Sequence, residues 1–137
     1  MASIARRWIA IGAVIAAVGV GLGAFGAHGL SRQLEELGYT GDDLARRLDI
    51  FETAVRYQMF HAIGLVLVGL TLDRRDNRPC RFAPWAILVG MLLFCCLLKV
   101  MTFAGPEWKW LGGIVPLGGV SMIVGWLAMA AGALRKS

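Results

Sequence analysis

Four polar side chains stand inside or beside otherwise apolar stretches of this sequence, and their types make them the best candidates for chemistry. They are His28, Gln58, His61 and Lys99. Ionisable groups are costly in lipid, so each ionisable member of this set is a functional hypothesis. Imidazole nitrogens can ligate a metal ion or haem iron, whereas an ammonium group attracts an anionic ligand.

The positions of these residues along the apolar stretches indicate one shared depth. His28 lies near the end of the first stretch, and Gln58 and His61 lie within about the first two turns of the second. Lys99 lies about a turn and a half before the end of the third. Pro116 lies at a similar depth in the fourth, where a proline would free a backbone carbonyl group. We therefore expect a polar cluster in the outer leaflet.

Three interpretations of this cluster are compatible with the sequence. Both histidines can be neutral and hydrogen-bonded to carbonyl groups at the interface, while Lys99 extends to the lipid headgroups. The cluster can instead be a pocket for a lipid headgroup, a quinone or another small amphiphile. The third interpretation is a metal or haem site with His28 and His61 as axial ligands. Two histidines beside a positive charge are a weak metal signal, so we predict no metal and no cofactor.

Catalytic and transport motifs are missing from the sequence. It contains neither G-x-S-x-G nor HExxH, and no Asp or Glu lies inside an apolar stretch to relay protons. The three cysteines, Cys80, Cys95 and Cys96, lack metal-ligand spacing. The sequence therefore predicts a protein that is not an enzyme, with proton-coupled transport poorly supported.

The composition identifies the solvent of these stretches as lipid. Of 137 residues, 58% are hydrophobic and 17% are charged, against roughly 25% charged in soluble domains. The apolar residues form blocks long enough to span a bilayer. We predict an all-α fold, an integral membrane four-helix bundle that forms one domain over residues 1–137. The predicted spans are 8–30, 54–72, 82–104 and 110–134.

An amphipathic extracytoplasmic segment is predicted between helices 1 and 2, over residues 31–52. Gly38 and Gly41 interrupt it, and Asp42 or Asp43 is a candidate N-cap. Beyond them, four apolar residues at spacings of four, three and four form a stripe that suits the membrane surface. These residues are Leu44, Leu48, Phe51 and Val55. Opposite charges four residues apart support a helix at Asp42–Arg46, Asp43–Arg47 and Glu52–Arg56.

The basic residues predict the orientation. Four spans put both termini on one side, and that side holds eight basic residues against five on the other. The eight are Arg6, Arg7, Arg74, Arg75, Arg78, Arg81, Arg135 and Lys136. Since basic residues favour the cytoplasm, we predict a multi-pass membrane protein with both termini in the cytoplasm. The basic residues flank apolar stretches rather than forming a basic face, so we predict no nucleic-acid partner despite the net charge of +5.

Small residues predict where helices pack. Small side chains let helix backbones approach closely in lipid, where packing drives association. The first span carries Gly12, Gly19, Gly23 and Gly26, and the fourth carries Gly118, Ser121, Gly125 and Gly132. We expect the first span to be the most enclosed and to contact the fourth. The bilayer is the predicted partner, with other membrane subunits or a second copy as further possibilities.

Three segments of the sequence also carry a family resemblance. They are LGAFGAHGL (22–30), ETAVRYQMFHAIGL (52–65) and IVPLGGVSMIVGWL (114–127). They resemble the signature stretches of a family of small four-helix membrane proteins of unknown function, which includes transmembrane protein 256 in eukaryotes and short inner-membrane proteins in bacteria. The resemblance covers essentially the whole chain and implies a four-span protein of the bacterial cytoplasmic (inner) membrane with no established activity.

The resemblance also implies a set of site residues. Its motif positions here are His28, Tyr57, Gln58, His61, Pro116, Gly118, Gly119 and Trp126. Tyr57 thereby joins His28, Gln58, His61, Lys99 and Pro116 as a candidate ligand-binding residue. The third span departs from the pattern of the family it resembles. It contains FCCLLK, and Lys99 lies about where the family pattern has a tyrosine. A family pocket would be more cationic in this chain, which favours an anionic headgroup as its ligand.

Overall fold

The computed structural model describes residues 2–135, so Lys136 of the basic set lies outside the described residues. Helices account for most of this range, and it contains no strand. The α-helices are α1 (Ala2–His28), α2 (Leu30–Glu36), α3 (Gly41–Arg74), α4 (Arg78–Met91), α5 (Leu97–Phe103) and α6 (Val115–Leu134). A π-helical segment (Leu92–Cys96) joins α4 to α5, and a 3-10 helix (Pro106–Gly113) precedes α6.

Four helical runs are long and apolar enough to cross a membrane, which confirms the all-α fold and the four spans. They are Ile4–His28, Gly41–Arg74, Arg78–Phe103 and Pro106–Leu134. A helix satisfies its backbone hydrogen bonds internally, so long apolar runs of this kind fold as helices in lipid. The runs alternate in direction. One end of the bundle, called the terminal end, therefore contains the start of α1, the end of α6 and the 75–77 connection. The opposite end contains residues 29–40 and 104–113.

The helix that was expected to start near residue 54 starts at Gly41 instead. α3 has 34 residues and is about 51 Å long, against a hydrocarbon thickness of about 30 Å. The prediction of a surface-lying amphipathic segment over residues 31–52 is therefore wrong for residues 41–52, because these residues continue the helix of the second span. Its apolar stripe is covered by protein instead, since it packs with Leu30, Leu34 and Phe103.

Glycine allows the sharp connection between α2 and α3. Gly38 and Gly41 have positive φ angles of 90° and 56°, a region that side chains with a Cβ rarely adopt. The N-cap of α3 is Thr40, so the expectation of an Asp42 or Asp43 cap is wrong. Asp43 instead accepts hydrogen bonds from Arg46 and Arg47.

Each outer helix packs on its own inner neighbour. α1 lies along α3, α6 lies along α4, and α3 joins the two pairs through α4 and α5. The expected contact between the first and fourth spans is therefore wrong. Both small-residue faces pack closely, but each packs against the adjacent antiparallel helix. A Cβ on Gly12 would lie 2.6 Å from the Ala62 carbonyl oxygen, and a Cβ on Gly125 would lie 3.0 Å from the Ala83 carbonyl oxygen.

The remaining small residues divide between the same two contacts. On α1, Gly19 approaches Met59, Gly26 approaches Phe51, and Gly23 lies at ordinary contact distance from Val55. On α6, the glycines contact the third span and its N-cap. Gly118 approaches Gly90 and Phe94, and Gly125 approaches Ala83 and Ile87. Gly132 approaches Asn77 and Cys80. Ser121 donates a hydrogen bond to the Ala86 carbonyl oxygen at 2.8 Å.

The first span is the least enclosed of the four, which overturns the expectation that it is the most enclosed. Only 11% of its most apolar window is buried, against 50% for α3. The reason is that α1 has small residues on two faces. One face packs on α3, while the other is open: no atom lies within 4 Å of a Cβ built on Gly21. Ala10, Ala13, Ala17 and Ala24 are exposed as well.

The fourth span begins differently from the prediction. Residues 106–113 form a 3-10 helix, and α6 starts at Val115. Pro116 is thus the second residue of α6, in the first turn, where the backbone N–H has no helical partner to lose. The expectation that Pro116 frees a carbonyl group inside the helix is wrong.

At the terminal end, side chains of the 75–77 connection form hydrogen bonds with the end of α6. Asn77 is the N-cap of α4, accepting a hydrogen bond from the Cys80 N–H and donating one to the Gly132 carbonyl oxygen at 2.9 Å. Arg75 donates to the carbonyl oxygens of Ala133 and Arg135. These bonds satisfy carbonyl groups at the end of α6, where the helix has none of its own N–H groups left to use.

Candidate functional site

Gln58 and Lys99 form a polar link between side chains of different spans. The Lys99 ammonium donates a hydrogen bond to the Gln58 Oε1. The Gln58 Nε2 donates to the Ile15 carbonyl oxygen of α1 at 3.0 Å. Gln58 is buried on α3, so its amide connects α1, α3 and α5 at one point.

A lipid-facing cleft lies beside this pair, between α1 and the third span. We call it the Lys99 cleft. It has a volume of about 220 Å³. Its walls are aliphatic or sulfur-containing side chains, and its only polar side chains are the Gln58 amide and the Lys99 ammonium, apart from two thiols. The wall residues are Val14, Ile15, Val18, Leu88, Met91, Leu92, Cys95 and Cys96.

The charge of Lys99 is not balanced by a nearby carboxylate. No Asp or Glu in the described residues makes an ion pair with it, and its ammonium uses one of three donors on Gln58. The π-helical turn at 92–96 immediately precedes α5 and helps set the direction in which Lys99 points. The site is therefore a half-buried cation at the polar end of an apolar cleft.

His61 and Tyr57 belong to a separate aromatic cluster. The His61 ring stacks on Tyr57 at 5.9 Å between centroids and lies 6.1 Å from the Trp126 ring. Its Nδ1 lies 2.7 Å from the Tyr57 carbonyl oxygen, so Nδ1 carries the proton that this hydrogen bond donates. Tyr57 also contacts Phe94, with centroids 4.7 Å apart. Neither residue lines the Lys99 cleft.

Neither His28 nor Pro116 lines the Lys99 cleft, and His28 makes no ring contact with the aromatic cluster. His28 is an exposed residue at the end of α1, and Pro116 is exposed at the start of α6. Ala62, next to His61, packs against Gly12, and about 24 Å of helix separates Gly12 from His28. One iron or zinc ion bonds its ligands at about 2 Å, so it cannot bind both imidazoles. The prediction of one cluster that contains both histidines is therefore wrong: Gln58 and Lys99 come together at the cleft, and Tyr57 and His61 come together in the aromatic cluster.

Arg47 is the most connected polar residue of the opposite end, and the sequence reasoning treated it only as one of a helical ion pair. Its side chain is 6% exposed. Its Nη1 donates to the carbonyl oxygens of Thr102 at 2.7 Å and Ala104 at 3.0 Å, with a longer bond to Met101. Arg47 thus satisfies carbonyl groups at the end of α5.

Two further contacts fix the Arg47 guanidinium. Its Nε donates to Asp43 Oδ2 at 3.1 Å, and its Cζ lies 3.5 Å above the centroid of the Tyr39 ring. Charge-assisted bonds and a cation–π contact offset the cost of burying this group. The spacing Asp43–Arg47 was a correct signal for the ion pair, but nothing in it indicates the end of a distant helix.

The fold and the cleft define a helical, multi-spanning membrane protein in which Gln58 and Lys99 form a polar contact between spans. The chain belongs to the family described as Protein of unknown function (DUF423), which matches residues 22–119. That match confirms the resemblance carried by the three sequence segments.

Bacterial relatives support the same assignment over nearly the full length. The UPF0382 membrane protein YwdK of Bacillus subtilis is 33% identical over 131 residues, covering 95% of this chain and 98% of the relative. The UPF0382 membrane protein SERP0230 of Staphylococcus epidermidis is 34% identical over 130 residues, covering 95% and 97%. A UPF0382 membrane protein of Haemophilus influenzae is 37% identical over 118 residues, covering 85% of each chain. No solved structure matches the chain.

Proposed function

We propose that this protein is a non-catalytic protein of the bacterial cytoplasmic membrane that binds an amphiphile with an anionic headgroup in the Lys99 cleft. The observation that carries the proposal is the Lys99 ammonium, which lies at the end of an apolar cleft without a carboxylate partner. An anionic headgroup supplies the missing negative charge, and its acyl chain supplies apolar contacts for the cleft walls.

The position of Lys99 sets how the ligand is oriented. Lys99 is four residues before the end of α5, and the aliphatic walls lie on the terminal side of it. A lipid of the leaflet at the opposite end would therefore present its headgroup to Lys99 and its chain to the cleft. The lining contains no carboxylate or imidazole that could act as a general base, which is the reason for proposing binding rather than catalysis.

The orientation of the chain is part of the same proposal. The terminal end carries the larger share of the basic residues, so it belongs in the cytoplasm and the Lys99 cleft belongs to the outer half of the bilayer. A reporter fused to the C-terminus should be active only if it functions in the cytoplasm. An active periplasmic reporter at that position would reverse the leaflet of the ligand.

Native mass spectrometry of the purified protein tests the binding. We expect wild-type protein to retain an anionic phospholipid, and Lys99→Gln to lower that retention about tenfold, because the charge is lost while the bond to Gln58 can be kept. Arg32→Gln is the matched control, since Arg32 is an exposed cation at the opposite end outside the cleft. Equal retention by wild type and Lys99→Gln would refute the proposal.

The cysteines provide a second measurement. Cys96 is exposed and lines the cleft, whereas Cys80 and Cys95 are buried. We expect a membrane-permeant maleimide to label Cys96, and added phosphatidylglycerol to slow this labelling in wild type but not in Lys99→Gln. Phosphatidylcholine, which carries no net charge, is the control lipid.

A second candidate function is association with another membrane helix through the open face of α1. This face has Ala10, Ala13, Ala17, Gly21 and Ala24 at spacings of three and four, all exposed. Small residues in this pattern favour close helix contacts in lipid. Cysteine cross-linking from position 17 in native membranes should capture a second copy or another subunit, while position 120 on the outer face of α6 should not. Equal cross-linking from both positions would contradict this candidate.

A further inference from the structure

A polar cavity lies at the opposite end of the bundle and is separate from the Lys99 cleft. It has a volume of about 220 Å³ and lies between the start of α3 and the 104–109 segment. We call it the Arg47 cavity. Its charged lining residues are Asp43, Arg46, Arg47 and Lys109, and its aromatic wall is Trp108. With three cations and one carboxylate, the lining carries a net charge of +2.

Arg47 has a free donor at this cavity. Its Nε and Nη1 are occupied by Asp43 and by the carbonyl groups at the end of α5. Its Nη2 has no hydrogen-bond partner among residues 2–135, although the side chain is 94% buried (6% exposed) and lines the cavity. The guanidinium is held by its other contacts, so these two N–H donors are fixed before any ligand arrives.

Two exposed cationic side chains, Arg46 and Lys109, add positive charge around this fixed donor. Arg46 shares the Asp43 carboxylate with Arg47, bonding to Oδ1 at 2.7 Å. One carboxylate cannot balance two guanidiniums, and Lys109 is exposed across the cavity with no ion pair of its own in the described chain. A ligand with two or more negative oxygens fits this arrangement better than a single carboxylate does.

We propose that the Arg47 cavity binds a phosphate group, with Arg47 Nη2 as the fixed donor and Arg46 and Lys109 as the flanking cations. Trp108 forms one wall, and it stacks on Trp110 at 6.3 Å between centroids; exposed indoles prefer the level of lipid headgroups. The phosphate can belong to a phospholipid headgroup at that level or to a free phosphate in solution. The site does not depend on the Lys99 cleft.

Binding of two probes to the full-length protein in a neutral maltoside detergent tests the proposal. The probes are inorganic phosphate and dihexanoyl phosphatidylglycerol, titrated against chloride at equal ionic strength while Trp fluorescence and thermal unfolding are recorded. Arg46→Gln with Lys109→Gln removes two exposed cations from the cavity and leaves Arg47 in place. Arg32→Gln with Arg56→Gln removes two exposed cations of the same end from outside it, and is the matched control.

We expect the cavity double variant to weaken binding about tenfold or more, and the control to change it less than about twofold. Loss of binding for both probes supports a phosphate site open to either source. Loss for the lipid alone, with no binding of inorganic phosphate, identifies the headgroup as the source, and the reverse identifies free phosphate. If neither probe binds better than chloride, or if both double variants behave alike, the proposal is overturned.

Lys99→Gln separates this site from the proposed function. It should leave the binding of inorganic phosphate unchanged, because Lys99 does not line the Arg47 cavity. If the lipid probe is lost in Lys99→Gln but retained in the cavity double variant, the lipid occupies the Lys99 cleft, and the phosphate proposal fails for the lipid while the proposed function stands.

Discussion

Gly90 of α4 and Gly118 of α6 meet backbone to backbone, and neither position has room for a methyl group. A Cβ on Gly90 would lie 2.7 Å from the Gly118 carbonyl oxygen, and a Cβ on Gly118 would lie 2.8 Å from that of Gly90. The backbones of the two helices are thus in close contact at this crossing. In lipid, such contact between backbones is a main source of helix association.

Gly118→Ala should therefore destabilise the protein by about 1–3 kcal/mol, since the added methyl group forces α4 and α6 apart. Thermal unfolding in detergent, followed by Trp fluorescence, measures the loss. Gly119→Ala is the matched control, because its Cβ would meet only Phe94 at 3.9 Å. Equal stability of the two variants would contradict the close approach.

Arg47→Met should destabilise the protein by about 2–4 kcal/mol, because the carbonyl groups at the end of α5 and the Asp43 carboxylate lose a shared donor. Arg46→Met removes an exposed ion pair from the neighbouring position and should cost less than about 1 kcal/mol. Chemical unfolding in SDS titrations compares them. If Arg46→Met proved the more damaging, Arg47 would not hold α5 in the way described.

A double-mutant cycle at Gln58 and Lys99 tests their coupling. Gln58→Leu leaves the Lys99 ammonium without its partner and removes the side-chain bond to the Ile15 carbonyl oxygen, so it should destabilise by about 1–3 kcal/mol. Adding Lys99→Leu removes the stranded cation, so the double variant should be more stable than Gln58→Leu alone. Additive losses in thermal unfolding would mean that the two side chains act independently.

The 75–77 connection predicts a pH dependence. Arg81 donates hydrogen bonds to both carboxylate oxygens of Asp76, and these bonds lower the pKa of Asp76 below its usual value of 3.8. The pair therefore stabilises the fold fully above the unfolded pKa, and the contribution disappears as the pH falls through the lower, folded pKa. The difference in thermal stability between wild type and Asp76→Asn should shrink below about pH 4.

Asp73→Asn is the control for this pH series, since it removes an exposed carboxylate from the same end of the bundle. A difference between wild type and Asp76→Asn that stayed constant from neutral pH to pH 3 would show that the Arg81 pair does not contribute through ionisation.

The sequence was sufficient for the number and type of spans because lipid leaves helices as the way to satisfy the backbone of a long apolar run. It was insufficient for the start of α3. The charged segment before residue 54 was interpreted as a separate surface helix, but the Glu52–Arg56 pair lies on the exposed face of one helix that begins at Gly41. Charge alone does not end a helix.

The pairing of helices was beyond the sequence for a different reason. Gly12 and Gly118 are each small enough for close packing, but a small residue fits many partners and specifies none. Antiparallel neighbours in the chain took both faces. The role of Arg47 was equally hidden, because it depends on where α5 ends in space and no spacing along the chain encodes that position.

α3 runs as one helix from one end of the bundle to the other. No proline lies between Gly41 and Arg74, so the segment that holds Arg47 and the segment that reaches the terminal end move as one rigid rod of about 51 Å. A rotation of about 5° around its middle would carry each tip about 2 Å in opposite directions. The two ends of the bundle are therefore joined by one continuous element, and a displacement of α3 at one end would change the packing of its neighbours at both.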